Sequence, residues 1–361
     1  KSPVFIFNGV YFVSAIHTTS LIPEWADQSA VLLAWPYLGG DFSRWLDAAE
    51  ATYTRIAVEV ALRETLIVIC RDEAHQRHIE ARLAHESVDA GRLRFVHAPY
   101  NDVWVRDSAP LTVAGREGVR LLNFRFNGWG GKYDCLDDSL LAERLYASGV
   151  LGQGLLDPVD FVLEGGSVEA DGRGVVMTSS RCLLNPNRNP ELNKQQIEAC
   201  LHERLGAEKV LWLEHGHAEG DDTDAHIDTL ARFCSEDTIA YTACDQPDDP
   251  LYPEFQRMAE QLQTFSSLDG RSYQLVALPM PAPIRDEEGN RLPATYANFL
   301  IINGAVLTPV YNDPADAVAL ERLASCFPGR DIVPIDCVSL IHQYGSLHCM
   351  TMQFPSDIHV R

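Results

Sequence analysis

The sequence predicts an α/β protein assembled from repeated modules. Strand-like and helix-like segments alternate along the chain, and a hairpin signature recurs roughly every 55–70 residues with a helix between successive copies. That interval is too long for a solenoid unit and suits a few α/β modules around an axis. Periodicity alone leaves ordinary α/β architecture without symmetry open. At 361 residues the chain can form one large domain or two ordinary ones.

Residues 29–35 read as a buried strand, and 41–62 as a long amphipathic helix with Trp45, Ala49, Ile56 and Val60 on one side. A β-branched strand follows over 66–70, then a helix over 72–85. Further helices are expected over 138–147, 191–205, 253–265 and 314–326. Asp-Asp-Ser, Asn-Pro and Asp-Pro starts suit three of these N-termini.

The hairpins cover 109–124, turning at 115–118, then 167–178, turning at Asp171-Gly172, then 229–242, turning at 235–237, and 299–309, turning at Asn303-Gly304. Chemistry-bearing residues precede the first three. Asn101-Asp102-Val103-Trp104-Val105-Arg106-Asp107 precedes the first, Glu164-Gly165-Gly166 the second and His226-Ile227-Asp228 the third. If rotation relates the modules, equivalent strand ends bring these groups into one site. Gly345-Ser346-Leu347-His348-Cys349 adds a thiol after a glycine-containing turn, at the head of an apolar strand over 350–353. A thiol, an imidazole and several carboxylates are the parts of a cysteine-nucleophile site for a cationic substrate.

Composition excludes several classes. A formal net charge of −22 argues against a nucleic-acid or anionic-membrane partner and favours small cations. Nothing approaches transmembrane length. The nine cysteines form no C-x-x-C pair and no disulfide-scaffold spacing, which fits reduced thiols in a cytoplasmic protein. The apolar run Pro3-Val4-Phe5-Ile6-Phe7 is interrupted by Asn8 and Gly9, making a poor signal peptide. Residues 1–20 read as a leader or N-terminal extension that could add an edge strand, and 21–361 as a single catalytic domain.

Each motif has an ordinary alternative. Trp104-Val105-Arg106-Asp107 would more often be a buried turn with an Arg–Asp pair. Gly165-Gly166 alone would mark a bend, although Glu164 ends an apolar strand where a carboxylate is costly unless it binds something. A lone cysteine in an apolar strand is usually a small buried hydrophobe. His348, adjacent to Cys349, should point to the opposite strand face and be structural. The segment 214–228 is the densest cluster of metal-ligand types, and Asp224-Ala225-His226-Ile227-Asp228 matches the D-A-H-x-D manganese motif of the ureohydrolases. The further ligand segments of those enzymes, G-G-D-H and D-x-D-x-x-D-P, are absent, and His215 and His217 read as a solvated loop.

Together, Pro23-Glu24-Trp25, Ala34-Trp35-Pro36, the 101–107 segment, Phe126-Asn127-Gly128-Trp129-Gly130-Gly131, Glu164-Gly165-Gly166, His226-Ile227-Asp228 and Gly345-Ser346-Leu347-His348-Cys349 resemble the agmatine deiminase family. That family is also grouped with the bacterial peptidyl-arginine deiminases, within the guanidine-modifying superfamily. The resemblance runs from about Leu21 to the C-terminus with the motifs in family order, and Gly220 to Asp224 resembles the bacterial branch. It implies the pentein fold, a five-bladed α/β propeller of ββαβ modules with pseudo-fivefold symmetry. It also implies a metal-free, cofactor-free thiol mechanism on agmatine, giving N-carbamoylputrescine and ammonia in polyamine biosynthesis.

Carried over by motif, Cys349 is the nucleophile and His226 the general acid/base. Asp107 and Asp228 clamp the guanidinium, Glu164 adds a carboxylate contact and Trp104 packs on the substrate. Many relatives read G-G-G-N-I-H-C at the nucleophile, and here Ser346 stands where that asparagine would be. A homodimer is what the family would suggest. His226 and Asp228 can share a strand face if that segment is extended. Agmatine is the first-choice substrate. Free arginine would need a cation for its carboxylate, with Arg125 and Arg188 as the candidates to reach it, and peptidyl arginine would need an open cleft beside the 281–293 loop. Outside this class stand a manganese ureohydrolase and a non-catalytic guanidinium-binding protein.

Overall fold

The structure, a computed structural model, describes residues 19–116, 118–152 and 154–361, together with a pair of short strands, Ile6–Phe7 and Val10–Tyr11. Five larger sheets carry the fold among these residues. Each contains an antiparallel pair of strands followed by a parallel partner, with a helix crossing over between the parallel two.

In the first sheet Leu111–Gly115 and Gly118–Arg125 form the hairpin, and Leu155–Val162 follows the helix Leu141–Ser148. The second is Val168–Ala170, Val175–Ser179 and Lys209–Leu213, crossing through Lys194–Leu205. The third is Ala231–Ser235, Thr238–Thr242 and Gln274–Leu278, with Tyr252–Leu262 between. The fourth is Leu300–Ile302, Ala305–Val310 and Asp331–Asp336, with Ala315–Cys326 between.

The fifth sheet joins the chain's ends. Thr351–Pro355 pairs antiparallel with Gln28–Ala34, which pairs parallel with Thr65–Cys70 across the helix Leu46–Ala61. Leu93–His97 extends it. Its central residues Leu32, Leu33, Ile67 and Val68 are wholly buried, as expected where parallel strands are covered on both faces. The ββαβ module that the resemblance implies is therefore present five times among the described residues.

Several expected boundaries shift for local reasons. The helix expected over 41–62 opens as a tighter 3₁₀ turn, Asp41–Trp45, before the α-helix begins. The one expected over 138–147 divides into Leu136–Ser139 and Leu141–Ser148. Asp138 is turned from its solvent-facing capping role, because its carboxylate accepts the backbone N–H of Asn101 at 2.8 Å and of Asp102 at 3.2 Å. The 191–205 helix starts later, at Lys194, where Asn193 and Gln196 form a reciprocal capping box.

Thr19–Leu21 pairs with Leu111–Gly115, so the boundary placed after residue 20 cuts an edge strand of the first sheet. The apolar run Pro3-Val4-Phe5-Ile6-Phe7 lies largely outside the described residues. All nine cysteines are free thiols. Among the described residues no helix is long and apolar enough to cross a membrane.

Candidate active site

The segment that enters the first hairpin strand of each sheet delivers one part of the site. Asp107 precedes Leu111–Gly115, Glu164 precedes Val168–Ala170, and His226 and Asp228 precede Ala231–Ser235. Asn298 precedes Leu300–Ile302, and Cys349 precedes Thr351–Pro355. A Cβ at Gly166 would lie 2.8 Å from His226 Nδ1, 2.9 Å from Asp107 Oδ1 and 3.0 Å from Asp228 Oδ2. Only a glycine there lets these three groups converge.

The backbone around them is strained to hold this geometry. Trp129 adopts φ 55°, unusual for a bulky residue, within the left-handed run Gly128–Gly131. Its indole Nε1 donates to Asp107 Oδ2 at 2.9 Å, and the Gly166 N–H donates to Oδ1 at 2.9 Å. Asp224 and Ala225, at φ 65° and 67°, turn the chain sharply before His226. The arginine–aspartate pair considered for the 101–107 segment does not form. Arg106 pairs instead with Glu24 at 3.1 Å and with Gln353.

Residues 227–229 form a 3₁₀ turn, so the extended strand expected at His226-Ile227-Asp228 is absent. The two side chains are brought together by a turn. His226 Nδ1 lies 3.7 Å from Asp107 Oδ1. Both His226 ring nitrogens and Asp228 Oδ1 are buried without a hydrogen-bond partner, which is expensive unless something arrives to satisfy them.

The thiol sits beside them. Cys349 Sγ is 3.5 Å from Asp228 Oδ2 and receives the Asn298 Nδ2–H at 3.2 Å. Burial pushes the Cys349 thiol well above its ordinary range, and the negative charges of Asp228 and Asp107 push the same way, against hydrogen bonds from Ser346 and Asn298. Burial likewise raises the Asp107 carboxyl, with His226 opposing and Asp228 adding to the rise. For Asp228 burial acts upward too, but the hydrogen bond and charge of His348, helped by His226 and Arg232, hold it below the usual range.

His348 does not turn away from this centre. Residues 347–350 are a turn rather than a strand, and His348 Nδ1 reaches the same Asp228 Oδ2, at 2.8 Å, that Cys349 approaches. Ser346 Oγ lies 3.0 Å from the Tyr311 hydroxyl, which also donates to the Thr295 carbonyl at 2.9 Å.

A cleft enclosing about 540 Å³ ends on Cys349 and Asp107. Asp41, Asp102 and Asp222 add carboxylates to its wall, Trp104, Trp129, Tyr133 and Tyr344 add aromatic faces, and among the described residues no Arg or Lys lines it. Burial and the neighbouring Asp41 raise the Asp102 carboxyl to about 7, against hydrogen bonds from Val103 and Trp104. Gly345 packs on Trp104, and a Cβ there would stand 2.4 Å from the indole ring. His226, Asp228 and Glu164 lie deeper, at 0% exposure.

Glu164 is held by an arginine. Arg188 Nε binds its two oxygens at 2.9 and 3.2 Å, and the same guanidinium holds Asp224. Glu164, Cys182 and His226 offer donor atoms within 4.8 Å of one another. Arg188 is thus committed to a buried pair, and Arg125 pairs at the surface with Asp160. Asp224 also meets Lys132 at 3.3 Å, and no cluster among the described residues unites Asp224, His226 and Asp228, so the D-A-H-x-D set does not assemble. His215 lies in an irregular loop, partly exposed, with Glu254 at 3.5 Å. The 281–293 loop contacts Arg44 through Glu287 and contributes no lining residue to the cleft.

The model of the Porphyromonas-type peptidyl-arginine deiminase family matches residues 20–355. The chain belongs to this family. It is 32% identical over 371 residues to an agmatine deiminase of Pseudomonas fluorescens, covering 95% of this chain and 99% of that one. A C. jejuni agmatine deiminase with a Cys-to-Ser substitution and bound substrate superposes with a TM-score of 0.86 at 34% identity, over 95% of this chain and 97% of that one. A Porphyromonas gingivalis structure provisionally described as an arginine deiminase superposes at 0.88 with 43% identity, over 95% of this chain and all (100%) of that one.

Two contributors have no role in the sequence reading, and Arg188 has a different one there. Asn298 stands immediately before the fourth hairpin, where the rule that found the other three sites would have pointed to it, but an amide carries no acid–base signal. Trp129 was part of a motif without a role. Arg188 meets Glu164 from 24 residues away.

Proposed function

We propose that this protein is an agmatine deiminase, hydrolysing agmatine to N-carbamoylputrescine and ammonia. One observation carries the choice of substrate: a cleft ending on a cysteine is lined by four aspartates and, among the described residues, by no Arg or Lys. Such a wall attracts a substrate cationic at both ends, and the cation beside it, Lys132, is already paired with Asp222 at 3.5 Å and Asp224 at 3.3 Å.

In this reading Asp107 and Asp228 bind the guanidinium N–H groups. Asp228 Oδ1 is the free acceptor, and Asp107 is oriented by Trp129 and Gly166. The substrate's positive charge offsets the burial and the carboxylates that keep Cys349 protonated, so the thiolate forms with substrate in place. The sulfur attacks the guanidinium carbon, forming an S–C bond. His226 as imidazolium protonates one nitrogen, the C–N bond breaks and ammonia leaves. Neutral His226 then takes a proton from water, which adds to the amidino-thioether carbon. The C–S bond breaks as the added hydroxyl gives up its remaining proton to solvent, leaving the ureido product, the thiolate and the His226 imidazolium. Glu164 adds negative potential beside the His226 imidazolium, and Trp104 supplies a flat apolar face to the alkyl chain. Nine cysteines without C-x-x-C or disulfide-scaffold spacing support a cytoplasmic location.

Ammonia release measured side by side with agmatine, arginine and an arginyl peptide tests this. Agmatine should give the highest kcat/KM by a wide margin. Preference for arginine or the peptide would move the assignment within the family, and no turnover of any guanidine would retire it.

A further inference from the structure

Beneath the catalytic residues lies a second group of buried charges with no part in the reaction as derived. His348 is 1% exposed and has a carboxylate on each ring nitrogen. Asp228 Oδ2 stands 2.8 Å from Nδ1, and Glu24 Oε1 and Oε2 stand 2.8 and 3.0 Å from Nε2. Each nitrogen has a carboxylate at hydrogen-bond distance, which favours the imidazolium, while the Arg232 guanidinium beside Nε2 opposes that charge. The other groups around it are cationic and tied to carboxylates. Arg232 Nη2 lies 3.1 Å from Nε2 while held by Glu24 and Glu169. Arg106 approaches the His348 carbonyl at 3.5 Å and pairs with Glu24. Glu24 in turn borders a separate cleft of about 560 Å³, lined also by Arg106, Glu169 and Gln353.

We propose that His348 is a positioning residue for the deimination: an imidazolium that occupies Asp228 Oδ2, leaves Oδ1 to the guanidinium, and is itself held in place by Glu24. The inference rests on the deiminase reading of the site. Its logic is a conflict between neighbours. Asp228 must be charged to bind the substrate, yet its Oδ2 is 3.5 Å from a thiol that must lose a proton. An uncommitted Oδ2 would be a carboxylate within reach of that proton, and a protonated Asp228 would no longer clamp a cation. The His348 N–H occupies one lone pair of this oxygen and its charge favours the anion. A charge cluster this deeply buried is weak evidence for stability, since apolar residues often do as well. No bond changes at His348 itself.

Ring ¹⁵N NMR of the full chain, labelled at histidine, tests the protonation state without reference to turnover. His348 is assigned by its absence from His348→Asn. Both its nitrogens should carry protons in the parent protein. In Glu24→Gln one of them should lose its proton. In His348→Asn, which keeps a neutral hydrogen-bond donor, the acid limb of kcat/KM for agmatine should move up by roughly one pH unit. A neutral His348 tautomer in the parent protein overturns the inference, as does an Asn variant whose pH profile superimposes on the parent after uniform scaling. If that variant does not fold, long-range ring couplings assign His348 in the parent and the NMR result alone decides. Failure of the chain to turn over any guanidine would remove the deiminase reading, whereas full activity with a neutral His348 would remove only this one.

Discussion

Asn298 holds Cys349 from two sides, donating from Nδ2 to Sγ at 3.2 Å and accepting the cysteine's backbone N–H on Oδ1 at 3.3 Å. The same Oδ1 accepts the His348 N–H at 2.9 Å, and Nδ2 also donates to the Asp228 carbonyl at 3.2 Å. One amide therefore sets the sulfur against the carboxylate. Asn298→Ala should lower kcat by about 10²-fold, comparable to losing one preorganised donor at a developing charge, with a smaller change in KM. Asn298→Asp should be slower still, because a carboxylate beside the sulfur opposes the thiolate. Steady-state ammonia release checks both, and an alanine variant at parental kcat would contradict this role.

Cys349→Ser should abolish turnover while leaving agmatine binding measurable by calorimetry. Chelators should leave the parent rate unchanged. Activity lost to a chelator and restored by Mn²⁺ would return the ureohydrolase reading despite the separation of Asp224 from Asp228.

The Asp102 carboxyl, raised to about 7, should make substrate affinity depend on pH. It is neutral below that value and anionic above it, and the anion attracts the cationic substrate. KM for agmatine should accordingly fall as pH rises through about 7, by several-fold. Asp102→Asn should hold KM near its acid-side value at every pH. An unchanged slope in that variant would assign the dependence to another group.

Gly166→Ala places a methyl 2.8–3.0 Å from His226, Asp107 and Asp228, so these groups must part. Loss of kcat/KM by about 10²-fold or more is expected from displacements of this size. Thermal denaturation run in parallel should show the variant folded. Retained activity would mean that the three groups need not meet here.

The wholly buried Arg188–Glu164 pair makes a stability prediction. Arg188→Met strands the Glu164 carboxylate and should cost about 3–5 kcal/mol in urea unfolding. Adding Glu164→Gln should restore part of that stability without restoring turnover. A single variant as stable as the parent would show that solvent reaches Glu164.

The sequence made the modules legible because Asp171-Gly172 and Asn303-Gly304 turns between apolar runs are local signals. The same hairpins located Asp107, Glu164 and His226, since acids and imidazoles stand out at apolar strand ends. Asn298 does not stand out, although it occupies the equivalent place. His348 was misjudged because alternation along a strand was applied to a turn, where neighbouring side chains can reach one carboxylate. The Arg188–Glu164 pair was illegible for a different reason: nothing local couples residues on separate elements of the second module.

The strand Thr351–Pro355 sits on Gln28–Ala34, and the nucleophile stands two residues ahead of it. During synthesis every carboxylate and the imidazole emerge well before the thiol, and the thiol finds its place only when the closing segment docks on the opening one. A molecule cut ahead of Cys349 would therefore keep the acidic wall and the imidazole but lack the nucleophile, and it would leave guanidines untouched.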